Sequence, residues 1–184
     1  KENKKKILGD FKNVFNGIAL NVSDSEAQDI KRIQGVKEVY KNYEVHTTLM
    51  DSVPLIQEGI PAGQLDAQGN NCVTSGQECL TGAGITIAII DTGVDYTHPD
   101  LGGCTREQFL AKQCSKVVDG WDFSDNDDDP MDYQGHGTHV AATAAGNGVL
   151  KGVAPDAKIY AYKVLGANGG GTMEGVIAGI ERAV

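Results

Sequence analysis

Four stretches of the sequence carry residue types that do chemistry. Asp91 ends an apolar run, Ile85-Thr86-Ile87-Ala88-Ile89-Ile90. A lone aspartate there serves as a turn residue, a helix cap or a catalytic carboxylate. Asp91-Thr92-Gly93 has the form used by aspartic proteases, but those pair two such aspartates to share a proton. No second D-T-G or D-S-G occurs, and Val94 follows. The next stretch is Gly135-His136-Gly137-Thr138-His139-Val140. Two histidines three apart could ligate a metal, but there is no H-E-x-x-H and no further ligand set of zinc spacing. The other reading is a helix start that presents His136 into a cleft, with glycines on both sides so that other backbone can approach.

The third stretch, Gly166-Ala167-Asn168-Gly169-Gly170-Gly171-Thr172, nearly fits a phosphate loop but lacks its lysine, and G-x-G-x-x-G is absent too. In the fourth, Asp122, Asp125, Asp127, Asp128, Asp129 and Asp132 crowd eleven residues. That oxygen density suits calcium, which takes six to eight oxygen ligands. It is not an EF-hand, since Pro130 and His136 stand where the loop glycine and glutamate would be. Without a neutralising ion the run is a solvated acidic loop.

These residues need elements to position them. Ile85–Ile90 reads as a buried strand, residues 117–123 as another, Gly137–Gly146 as a small-residue helix and Lys158–Val164 as a strand. A helix follows from about Thr172, with Met173, Val176, Ile177, Ile180 and Val184 on one face. Strands alternating with helices predict a parallel sheet in an α/β fold, whose active site lies at the carboxyl ends of the strands. Upstream, residues 13–22 alternate as a strand. Ser23 and Glu26 form a possible capping box for a helix that Gly35 stops. Val36–Tyr40 reads as a second strand. Residues 46–84 are a long connector rich in turn signals, with some helix possible around Val53–Gly59.

Composition narrows the classes. The chain has 184 residues, 40% hydrophobic and 22% charged, enough for a core and too apolar for wholesale disorder. Its longest apolar run is far too short for a transmembrane helix. Net charge is −9, which argues against nucleic acid as a partner. The charge is split. Residues 1–50 hold nine Lys/Arg against seven Asp/Glu, and residues 51–184 hold seven against eighteen. A basic front and an acidic remainder suggest two units. Cys72, Cys79, Cys104 and Cys114 form two local pairs in polar stretches, without C-x-x-C spacing. Local disulfides 72–79 and 104–114 are the economical reading and imply an oxidising compartment. The N-terminal KENKKK is followed by no apolar segment of signal-peptide length. Either a signal has been removed, or the chain does not begin at the true start.

Taken in order, Ile87–Asp95, His98-Pro99-Asp100-Leu101, Gly135–Ala141, Gly152-Val153-Ala154-Pro155 and Tyr162–Gly166 resemble the motifs of the subtilisin-like serine proteases. Residues 13–50 resemble the later part of that family's inhibitory propeptide. The resemblance implies an α/β fold with a mostly parallel sheet and helices on both faces, of which this is the N-terminal half, preceded by a partial α+β propeptide. Its expected divisions are 1–49 (partial propeptide), 50–83 (connector and start of the mature region) and 84–184 (first half of the catalytic domain). Maturation is expected near His46–Asp51, at the Leu49–Met50 bond, since Ser52-Val53-Pro54 resembles a mature start.

The resemblance assigns roles by position. Asp91 and His136 match the triad acid and base, and His139 the family's second, non-catalytic histidine. Gly169, Gly170 and Gly171 match the edge that pairs with extended substrate. Asp122, Asp125 and Asp127 resemble carboxylate ligands of a calcium site in thermostable relatives, with Asp129 a possible backbone ligand and Met131 a departure. The short loop 146–151 and the Cys104–Cys114 insertion depart from small subtilisins. The implied protein is a secreted, calcium-stabilised serine endopeptidase acting on polypeptides and inhibited by its own propeptide. No serine of these 184 residues lies in a G-T-S-x-[AS] setting, so this piece alone is predicted to be inactive. That absence also motivates a second reading, a calcium-stabilised peptide-binding module or pseudoprotease.

Overall fold

A computed structural model describes residues 7–46, 66 and 71–184. The expected cleavage point, the Ser52-Val53-Pro54 start and the helix around Val53–Gly59 lie outside the described residues.

The larger unit is built on three parallel strands, β4 (Thr86–Asp91), β5 (Val117–Asp122) and β6 (Lys158–Lys163), in the order β4-β6-β5. Parallel neighbours need crossovers. The route from β4 to β5 contains a 3-10 turn, Pro99–Leu101, and a short helix, α3 (Arg106–Leu110). The route from β5 to β6 contains α4 (His136–Ala145), and β6 leads through a short strand, β7 (Gly170–Thr172), to α5 (Met173–Ala183). The α/β reading of this unit therefore holds, with the β4, β5, α4, β6 and α5 boundaries within two residues of the pattern.

Successive residues of a strand face opposite sides of the sheet, and β4 shows both. Ile89 joins the main core with Ala141 and Ala145 of α4, Tyr96, Leu101, Phe109, Val117 and Ile159. Ile90 faces the other way, against α5, where a Cβ on Gly179 would lie 2.8 Å from its Cγ2. Each fully buried Leu, Ile or Val is worth roughly 1.5–3 kcal/mol relative to exposure. The bond pattern is reinforced by Lys116, whose buried Nζ donates to the carbonyls of Pro155 (2.6 Å) and Ala157 (2.7 Å). Two helix-end signals were not read from the sequence. Thr105 and Gln108 form a capping box on α3, and Asn71 caps a four-residue helix, α2 (Cys72–Ser75).

The first unit differs from its sequence pattern. It holds a hairpin, β1 (Ile7–Phe11) with β2 (Gly17–Leu20), then α1 (Asp24–Lys31), then β3 (Glu44–His46). The predicted strand over 13–22 survives only as β2, because residues 12–16 turn back toward β1. The capping box of Ser23 and Glu26 is present. Val36–Tyr40 is not a strand. The strand forms later, at β3, because it is β3 that finds a partner, pairing antiparallel with β7. Only Phe11 is buried among residues 7–46, so this unit leans on the larger one. Met173 of α5 and Val184, which follows that helix, remain exposed, and the buried stripe is narrower than the apolar pattern predicted.

Candidate active site

The site is built where β4 ends. Asp91 is paired in register with Lys163 of β6, and its carbonyl accepts from the N–H groups of Val164 (2.8 Å) and Leu165 (3.1 Å). Its backbone is therefore fixed by the sheet. Its Oδ1 accepts from the Thr92 N–H at 2.7 Å. The same oxygen lies 2.7 Å from His136 Nδ1. Both side chains are only 13% exposed, so the bond is shielded from water.

His136 is the first residue of α4. Three sets of hydrogen bonds fix that helix start, and one of them ties it to the strand end. Its own N–H donates to Gln134 Oε1 (2.8 Å), and the Gly137 N–H donates to Thr92 Oγ1 (2.9 Å). At Gly137 a Cβ would sit 2.1 Å from the Gly93 carbonyl oxygen, so only glycine permits this approach. The third contact is Asp132. Its Oδ1 accepts from the N–H groups of Gln134 and Gly135 (2.9 Å each), and its Oδ2 from the N–H (2.9 Å) and hydroxyl (2.6 Å) of Thr138. Thr138 Oγ1 in turn accepts from the Asp95 N–H at 2.9 Å. Burial alone would push the Asp132 carboxyl up. The bonds from Gly135, Thr138 and Gln134 outweigh it and hold the group below the usual carboxylate range. Asp132 was read only as part of the acidic run. The signal that marks it out is an aspartate shortly before a helix start, where a short carboxylate can accept from the N–H groups of the turn that enters the helix.

With Nδ1–H donating to Asp91, the lone pair of the neutral ring falls on Nε2. That atom is buried and has no hydrogen-bond partner among the described residues. A buried, unpartnered imidazole nitrogen costs free energy unless something arrives to bond it. The arrangement is that of a general base, an imidazole fixed by a carboxylate at one nitrogen and ready to accept a proton at the other.

The glycine stretch forms the nearby edge. Gly169 sits in the turn, and Gly170 and Gly171 lie in β7, which β3 flanks with Val45 opposite Gly171 and His46 opposite Gly170. A Cβ on Gly171 would meet the Val164 carbonyl oxygen at 2.4 Å, so no side chain fits. The four cysteines are paired as Cys72–Cys79 and Cys104–Cys114.

The acidic residues do not converge. Among the described residues, no group of three or more His, Cys, Asp or Glu is placed to hold a metal ion. Asp122 Oδ1 accepts from the N–H groups of Ser124 (2.7 Å) and Asp125 (3.0 Å), and its Oδ2 pairs with Lys163 Nζ at 2.6 Å. Both oxygens of Asp129 are bonded to Tyr96 and Arg106. As placed, the carboxylates of Asp122, Asp125 and Asp127 do not converge into the shared oxygen shell that calcium requires.

A sequence model of the subtilase family of peptidases matches residues 82–184. The chain belongs to the subtilase family. A second model, that of peptidase inhibitor I9, matches residues 1–48. The subtilase chain is 41% identical over 191 residues to the minor extracellular protease Vpr of Bacillus subtilis (strain 168), covering 97% of this chain and 22% of that protein. It is 45% identical over 106 residues to thermitase of Thermoactinomyces vulgaris, covering 55% of this chain and 34% of that protein. It is also similar to a cold-adapted subtilisin-like serine proteinase of known crystal structure, at 36% identity and a TM-score of 0.48, covering 66% of this chain and 37% of that one. The subtilase chain thus spans well under half the length of these relatives. No helix among the described residues is long and apolar enough to cross a membrane.

Proposed function

We propose that this chain is part of a secreted serine endopeptidase in which Asp91 and His136 are two members of an Asp-His-Ser triad. The observation that carries the reading is His136, held at Nδ1 by Asp91 at 2.7 Å, with a buried Nε2 that has no partner among the described residues. The nucleophilic serine would come from sequence beyond Val184, which the greater length of the relatives leaves room for. His136 would take the serine proton through Nε2 as the hydroxyl attacks the peptide carbonyl. It would then deliver that proton to the leaving amine. Asp91 would hold the ring in the Nδ1–H tautomer and stabilise the imidazolium. Gly169, Gly170 and Gly171 would bind an extended substrate backbone by adding it as a strand. Hydrolysis of casein by the full-length protein tests this. Peptide release supports it, whereas binding of casein without any cleavage favours the peptide-binding module.

Residues 1–49 would act as an intramolecular inhibitor, with 84–184 the first half of the catalytic unit and 50–83 joining them. In support, β3 lies on the glycine edge where substrate would pair. The Tyr43 carbonyl accepts from the Met173 N–H (2.9 Å), and Asn42 Oδ1 from the Glu174 N–H (3.0 Å), at the start of α5. At the other end of α5, the Glu181 carboxylate accepts from three consecutive N–H groups, Lys12 (2.8 Å), Asn13 (2.5 Å) and Val14 (2.8 Å).

Those bonds give a pH dependence with a defined sign. The Val14 N–H, with Lys12 and Asn13, lowers the Glu181 carboxyl from its ordinary value of 4.5. Its contribution to holding residues 12–14 is therefore complete above about pH 4.5 and is lost as pH falls through the lowered value. Burial pushes the Glu174 carboxyl the other way, above its ordinary value. Inhibition of the mature enzyme by a synthetic 1–49 peptide should weaken in acid for the parent. Glu181→Gln should abolish that acid-side change.

A further inference from the structure

The acidic loop that follows β5 carries its own counter-charges. Asp122 is 1% exposed and Lys163, 3% exposed, meets it at 2.6 Å. A buried carboxylate is tolerated only when paired and hydrogen-bonded, and Asp122 has both, from Lys163 Nζ and from the N–H groups of Ser124 and Asp125. The same Nζ reaches Asp125 Oδ2 at 3.8 Å and lies 5.3 Å from the centre of the Tyr133 ring. The loop is closed by reciprocal backbone bonds between Asp122 and Asp127 (2.9 and 3.1 Å).

The far side is held from the insertion. Asp129 Oδ2 accepts from Arg106 Nε at 2.6 Å and its Oδ1 from the Tyr96 hydroxyl at 2.7 Å. Arg106 opens α3, and the Cys104–Cys114 disulfide brackets that helix. Phe109 of α3 is fully buried and stacks on Tyr96 with centroids 4.4 Å apart. The insertion thus brings a cation to the loop and anchors the ring whose hydroxyl shares the load. A calcium ion at Asp122 would have to sit against the Lys163 ammonium that already holds Oδ2, beside an Oδ1 that accepts from two N–H groups.

We propose that the acidic loop is held by the chain's own cations, Lys163 beneath it and Arg106 on the disulfide-closed insertion, in the role a divalent ion would otherwise fill. The inference does not rest on the proteolytic reading. It makes the stability of this region sensitive to disulfide reduction rather than to chelation at these carboxylates.

The test is calcium titration calorimetry and thermal unfolding of the full-length protein and two variants, in a background with His136→Ala to prevent autolysis. Asp125→Asn/Asp127→Asn changes exposed carboxylates and should leave the number of bound calcium ions, their affinity and the Tm shift on adding EDTA unchanged. Loss of one bound ion, or an affinity lowered tenfold or more, overturns the proposal. Cys104→Ser/Cys114→Ser should lower Tm by roughly 5–10 °C, equally in calcium and in EDTA. If calcium restores the Tm of that variant, the loop takes the ion and the proposal fails.

Discussion

His136→Ala in the full-length protein is expected to reduce kcat for peptide hydrolysis by roughly 10⁴-fold or more, with little change in KM. The imidazole contributes nothing to ground-state binding of the chain to be cut. It matters only when the hydroxyl loses its proton and the amine gains one. Asp91→Asn should cost about as much for a different reason. An amide at that position keeps the shape, but its NH₂ group can donate to Nδ1. The ring then carries its proton on Nε2, where the lone pair is needed. The two losses should not add, because both remove the same proton path. Initial rates for the two single variants and the double variant check this. An Asp91→Asn enzyme with near-parental kcat would show that the 2.7 Å contact to His136 is only structural.

Asp132→Ala is expected to be the most damaging change outside the pair. It removes one acceptor set from four donors at the start of α4, the N–H groups of Gln134, Gly135 and Thr138 and the Thr138 hydroxyl. Each donor left without a partner costs about 1–3 kcal/mol when buried. Because this helix start is partly wet, a total near 3 kcal/mol is expected. Denaturant unfolding measures it. Activity should fall further than stability alone explains, since His136 opens the helix whose first turn this carboxylate braces. Asp132→Asn keeps one acceptor oxygen and should recover part of both. Equal stability of the alanine variant and the parent would remove Asp132 from the account.

How much of this was legible in the sequence follows from range. Asp91 could be read because an apolar strand must end where its side chains stop being apolar, and His136 because two glycines mark a close approach. Their meeting across 45 residues came from the family resemblance, not from either segment alone. The strands of the first unit were misplaced because residues 7–46 bury only Phe11. Where little is buried, alternation does not select the strand, and pairing does. So β1 and β2 follow the hairpin, and β3 follows β7. The acidic run was read as a calcium shell because its carboxylates are neighbours in sequence. Lys163 lies 41 residues from Asp122 and Arg106 comes from the separate segment closed by the Cys104–Cys114 disulfide, so no local pattern announces either. Asp132 was hidden by its neighbours, one aspartate among several whose bonds to the start of α4 only the folded turn reveals.

The most direct measurement is active-site labelling of the full-length protein with a fluorophosphonate, read by peptide mass spectrometry. That reagent phosphonylates a serine hydroxyl only when a neighbouring base has activated it. The account predicts a single adduct, on a serine beyond Val184, that disappears in the His136→Ala variant. No adduct on the folded parent, or an adduct that forms equally well without His136, would contradict it.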